Sequence, residues 1–197
     1  MHIIDRLKVL LFQPASFFTH LKKEEGVKTA FQFQALISLI GVFLPLLILL
    51  AIPSLKTVFI TKLTKVLGQE FATKVLQPHV LPFIGALDYG VNLLLTFASA
   101  AVLFVLLKLF GARQPYAKAY QLSIYSKAPS TLLGWLPIVN IFTSIYSFVL
   151  LWKGTKIMYD FSTKKILMMY LIVPLLVLVI LIGLAALVGV SLLKAVL

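Results

Sequence analysis

The 197-residue chain contains no cysteine. Disulfides, a thiolate nucleophile and a cysteine-ligated metal are therefore excluded. Histidine is nearly as scarce: His2, His20 and His79 lie far apart and form no HExxH or similar ligand spacing. No GxSxG elbow and no phosphate-cradling GxxxxGK is present. No serine has a histidine and an acid arranged near it in sequence. No stretch is long and polar enough for a soluble catalytic domain. Repeats of solenoid period, low-complexity tracts and linkers are missing too. These absences argue against an enzyme, a cofactor or a metal centre, and for a single domain over 1–197.

What the chain has in abundance is apolar length. Hydrophobic residues make up 61% and the mean hydropathy is +1.05. From Ile166 to Leu193 run 28 residues without a charge. As a helix they reach ~42 Å, against a hydrocarbon core of ~30 Å. The chain is thus expected to be an integral membrane protein. The net charge of +12 would suggest nucleic acid in a soluble protein. In a membrane protein it marks basic loops that set topology and touch anionic lipid headgroups. Lipid is therefore the expected partner, and nucleic acid is not.

Residues 3–24 carry Ile3, Ile4, Leu7, Leu10, Leu11, Phe17, Phe18 and Leu21 at helical spacing. Pro14 divides them into two amphipathic helices, and Gly26 ends the second. The 1–28 segment is expected to lie in the interface plane. It is not expected to be a clean signal peptide, because Asp5 interrupts the would-be basic leader and no small-residue cleavage pattern follows Leu10–Phe12. The first span is Phe31–Pro53, with a bend at Pro45. A second amphipathic segment occupies 54–80, its apolar positions including Leu55, Phe59, Leu63 and Val66. Leu81–Leu107 is the second span.

The stretch Lys118–Trp152 reads two ways. One is a hairpin of short helices, Ala119–Trp135 and Leu136–Trp152. The other is an interfacial segment and a single span. The hairpin gives five spans and splits the Lys and Arg residues 12 to 5 across the membrane; the single span splits them 10 to 8. The positive-inside rule favours the hairpin. The expected fold is all-α: a polytopic bundle of five transmembrane helices with amphipathic interfacial helices. Its N-terminus is cytoplasmic and its C-terminus outside.

Polar residues at span depth are the candidates for a site. They are Asp88, Lys127, Asn140, Asn92 and Gln121. Asp88 and Lys127 approach from opposite faces, so an ion pair between them is geometrically allowed. Asp160 and Ser162 read as helix-capping residues. Trp135, Trp152, Tyr116, Tyr120 and Tyr170 read as interface anchors. Ala86-x3-Gly90 and Ala185-x3-Gly189 read as close-packing positions between helices, with a second copy of the chain as the alternative partner.

The opening Asp5–Pro14 followed by Phe17-Phe18 and a first span resembles the start of prokaryotic Yip-domain proteins, relatives of the Ypt/Rab-interacting membrane proteins. Ala119-Tyr120 leading to Tyr125-Ser126-Lys127-Ala128-Pro129, then Leu151-Trp152 and Gly154, is similar to the family's middle. Ser162–Lys165 fits the start of its last helix. On this resemblance Pro14, Tyr125, Pro129 and Gly154 are motif positions. It implies a multi-pass helical domain with five spans and a cytoplasmic N-terminus in a prokaryotic cell membrane. Eukaryotic members bind small GTPases; no long acidic or proline-rich tail is present here to carry that over. The leading expectation is a non-enzymatic membrane organiser or partner scaffold acting through its amphipathic segments. Its rival is a lipid or small-solute translocator with Asp88, Lys127 and Asn140 along a polar groove, extended by Asn92 and Gln121.

Overall fold

Prolines and glycines divide the chain where the sequence places them. The computed structural model describes residues 3–52, 68–70, 74, 77–172 and 174–175, and every regular element among them is helical. Helix α1 is Ile3–Phe12 and α2 is Pro14–Leu21, with Pro14 in the first turn of α2, where its missing N–H costs nothing. Gly26, at φ +75°, takes the left-handed turn that redirects the chain into α3, Lys28–Ala51. Helix α4 is Leu81–Leu109 and α5 is Tyr116–Leu133. Helix α6 is Pro137–Tyr159, ended by Asp160 in the left-handed conformation at φ 54°. Ser162 then accepts a hydrogen bond from the Lys165 N–H at 3.4 Å and caps α7, Thr163–Leu167, which runs on as a π-helical turn over Met168–Ile172.

Helix α5 is the centre of the molecule. It packs against α3, α4, α6 and α1, and 11 of its 18 residues are buried. Helices α5 and α6 form the expected hairpin, turning at Gly134-Trp135-Leu136. Three helices are long and apolar enough to cross a membrane: Lys28–Ala51, Leu81–Leu109 and Ile138–Tyr159. Five were expected. Helix α5 falls short of that standard because its composition is too polar, and Lys118, Gln121, Ser123 and Ser126 are buried among protein atoms. The stretch expected as the fifth span lies mostly outside the described residues, as do most of the 54–80 segment and Ala185-x3-Gly189.

Around this core the outward faces of α3, α4 and α6 are apolar, with Leu47, Phe83, Leu94, Val102, Ile138 and Phe142 each more than half exposed. Apolar exposure on that scale marks a membrane-facing surface. Two expectations are corrected here. Tyr120 is no interface anchor: it is fully buried and stacks on Phe97 at 4.7 Å. Ala86-x3-Gly90 packs against no helix among the described residues, since a Cβ on Gly90 would meet open space. The close approach to α3 is made next door, at Gly85, where a Cβ would stand 2.6 Å from Leu46 Cδ1.

Candidate functional site

Two polar constellations stand out, one at the end of the bundle and one inside it. The first ties α1 and α2 to the helices behind them. Leu10, Phe17, Phe18 and Leu21, the apolar face of the N-terminal pair, are buried in the protein core. That face was expected to rest on lipid; it is covered by protein, with α2 packed on α6 and α1 on α5. Arg6 Nη1 donates to Glu24 Oε2 and to Tyr125 OH, each at 2.9 Å. The Tyr125 ring stands 4.8 Å from both Phe17 and Phe33. Burial disfavours the Arg6 charge, but the Glu24 carboxylate and Tyr125 outweigh it, and its pKa stands above the ordinary value.

The end of α2 is held from α5. A helix leaves its last carbonyls without internal partners, and they carry partial negative charge. Lys118 Nζ donates to Leu21 O at 3.0 Å and to Glu24 O. Gln121 Nε2 donates to Gly26 O at 2.7 Å and to Glu24 O at 3.2 Å. Burial lowers the Lys118 pKa, with Glu24 and Glu25 pulling the other way. Lys22 pairs with Asp160 at 2.5 Å and Gln114 reaches Met158 O, so the ends of α2, α5 and α6 meet at one end of the bundle.

The second constellation is a groove of about 360 Å³ between α3, α4 and α5. Lys127 Nζ donates to Ser99 Oγ at 2.8 Å, and Ser99 Oγ to Thr96 O at 3.1 Å. Gln34 Nε2 donates to Thr96 Oγ1 at 2.5 Å, and Thr96 Oγ1 to Asn92 O at 2.9 Å. Gln34 Oε1 and Ser38 Oγ, both buried, have no partner among the described residues. Phe33, Ile37, Leu95 and Val102 supply apolar walls.

A family model described as the Yip1 domain matches residues 7–187. The chain belongs to the Yip1 domain family. No curated protein and no solved structure matches it. The Yip1 domain takes in α2 to α7, the whole groove, and the first constellation except Arg6. The family is one of membrane proteins, not known as enzymes.

Of the polar candidates in this Yip1 domain, only Lys127 and Asn92 meet in the groove. Gln121 is spent on the α2 terminus. Asn140 is exposed on α6, its Oδ1 accepting from Ser144 Oγ at 3.1 Å. Asp88 is exposed and forms no ion pair among the described residues. It lies eleven residues before Ser99 on α4, ~16 Å along the axis. The Asp88–Lys127 pair is therefore absent, and the five residues form no continuous polar path. The motif positions have structural places. Pro14 starts α2, Tyr125 joins the Arg6–Glu24 pair, Pro129 has no N–H to give the Tyr125 carbonyl, and Gly154 touches α2. Sequence reasoning missed Glu24, Lys118, Gln34, Ser38 and Thr96. Gln34 and Ser38, one turn apart in an uncharged span, were the legible signal.

Proposed function

We propose that this Yip1-domain protein is a non-enzymatic organiser of the membrane with five spans and a cytoplasmic N-terminus. Its working surface is the basic end of the bundle. One observation carries the reading: α1 and α2 are docked, not free, and they bring Arg6, Lys8, Lys22, Lys23 and Lys28 to the same end as the α4–α5 and α6–α7 connections. That end gathers 12 Lys and Arg against four acids, Asp5, Glu24, Glu25 and Asp160. A fixed basic platform beside a bilayer attracts anionic headgroups, worth ~1 kcal/mol per Lys or Arg near the surface. The platform concentrates acidic lipid in the cytoplasmic leaflet and offers the same charge to an acidic protein partner. Wedge-like insertion by α1 contributes little, because among its described residues only Ile4 and Phe12 remain well exposed as large apolar side chains.

The test uses the full chain in phosphatidylcholine vesicles that contain a minority of labelled phosphatidylglycerol. A fluorophore is placed on a single cysteine at Arg113 of this cysteine-free chain. Energy transfer should show phosphatidylglycerol enriched around the protein. The enrichment should vanish near 1 M salt, where the screening length is ~3 Å. Labelled phosphatidylglycerol and phosphatidylcholine distributed alike at low salt would sink the reading.

A further inference from the structure

The groove holds a cation with no anion. An ammonium has three N–H donors, and Lys127 gives one to Ser99 Oγ. No acid pairs with it among the described residues. Gln34 and Ser38 add a buried polar floor, 7% and 1% exposed, with one amide end and one hydroxyl unsatisfied. The Gln34 orientation is fixed by Thr96, whose one hydroxyl hydrogen goes to Asn92 O and leaves Oγ1 to accept from Gln34 Nε2. Buried polar groups ordinarily have partners, and an unpaired charge at membrane depth is costly.

We propose that this groove is a lateral binding site for one lipid-borne anion, a phosphate or carboxylate carried on an acyl chain. Lys127 takes the acidic group, the Ser38 hydroxyl donates to one of its oxygens, and the free Gln34 oxygen accepts from a hydroxyl of the ligand. The exposed members of the lining, Asn92, Leu95, Ala98, Val102 and Lys127, mark the open side, and Leu95 and Val102 belong to the outward apolar surface of α4. A chain attached to the anion leaves over Leu95, Ala98 and Val102 into hydrocarbon, past Asn92 at one edge of the opening. That geometry explains why the ligand is an amphiphile: a free ion would have to cross the bilayer interior to arrive. The site is separate from the basic platform, since Lys127 lies nine residues beyond Lys118 on α5, ~14 Å deeper.

The purified full chain in neutral detergent is mixed with phosphatidylglycerol, oleate, phosphatidylcholine or inorganic phosphate, and retained ligand is counted by native mass spectrometry. One phosphatidylglycerol or one oleate per chain should be retained about tenfold more than phosphatidylcholine, and which of the two dominates names the anion. Lys127→Met should remove that preference while Lys127→Arg keeps most of it. Val102→Trp, a change on the exposed wall that leaves the polar floor intact, should block retention without altering thermal unfolding. Equal retention of phosphatidylcholine, unchanged retention in both Lys127→Met and Val102→Trp, or binding of inorganic phosphate as tight as the lipids would each overturn the proposal. The salt-sensitive enrichment at the platform should survive Lys127→Met, so the two readings fail separately.

Discussion

The Phe18 ring occupies the space that any side chain on Gly154 would need. A Cβ at Gly154 would stand 2.8 Å from Phe18 Cε1 and 2.4 Å from Leu122 Cδ1. The absence of a side chain on α6 is what lets α2 and α5 both close on it. Gly154→Ala should therefore destabilise the protein by ~1–3 kcal/mol through overpacking. Thermal unfolding in detergent measures this. Phe18→Leu combined with Gly154→Ala should cost less than the sum of the two single changes. Strict additivity would mean that Phe18 is not the obstruction.

Lys118 joins α5 to the end of α2. Lys118→Met should cost ~1–3 kcal/mol, because the Leu21 and Glu24 carbonyls lose their partner. There is also a pH signature. Burial lowers the Lys118 pKa below 10.5, so between the folded and unfolded values the unfolded chain holds a proton that the folded chain has lost. Stability therefore rises with pH through that window. The difference in unfolding temperature between the parent protein and Lys118→Met should widen as pH rises toward 10.5. A difference that stays flat or shrinks would contradict the assignment.

Arg6, Glu24 and Tyr125 form one unit across α1, the α2–α3 turn and α5. Glu24→Gln should lower stability by ~1–3 kcal/mol, since the guanidinium keeps its buried position and loses its carboxylate. Glu24→Gln and Arg6→Met should couple by ~0.5–3 kcal/mol in a double-mutant cycle. Chemical denaturation of the four proteins gives the coupling directly. No coupling would reduce the pair to two independent surface charges.

Asp88 and Lys127 should not couple. Asp88→Asn alone should leave stability within ~0.5 kcal/mol, and the double change with Lys127→Met should be additive within the same margin. Their separation along α4 and α5 requires this. A measured coupling above that margin would mean that the two charges meet after all.

Much of the architecture was legible in order along the chain. Pro14, Gly26 and Ser162 act within a few residues of themselves, so the breaks at α1–α2 and α2–α3 and the start of α7 followed from local backbone chemistry. The hairpin of α5 and α6 did not follow from a local signal; the split of Lys and Arg residues between the two sides chose it over a single span. The long uncharged runs identified a membrane protein because hydropathy sums over one segment at a time. The site was less legible. Lys127 and Asn92 stood out as polar residues at depth, but so did Asp88, Asn140 and Gln121, which end up elsewhere.

What the sequence determined alone was the solvent and the helical breaks, because each depends on neighbours in the chain. What only the tertiary structure decided was which apolar faces meet protein and which meet lipid. The amphipathic face of α2 reads the same whether it rests on a bilayer or on α6; Gly154, 136 residues away from Phe18, makes it the latter. Helix α5 looks too polar to be buried until its neighbours supply carbonyls for Lys118 and Gln121. Periodicity records that a face is apolar, and the partner that covers it is set by packing between segments distant in the chain.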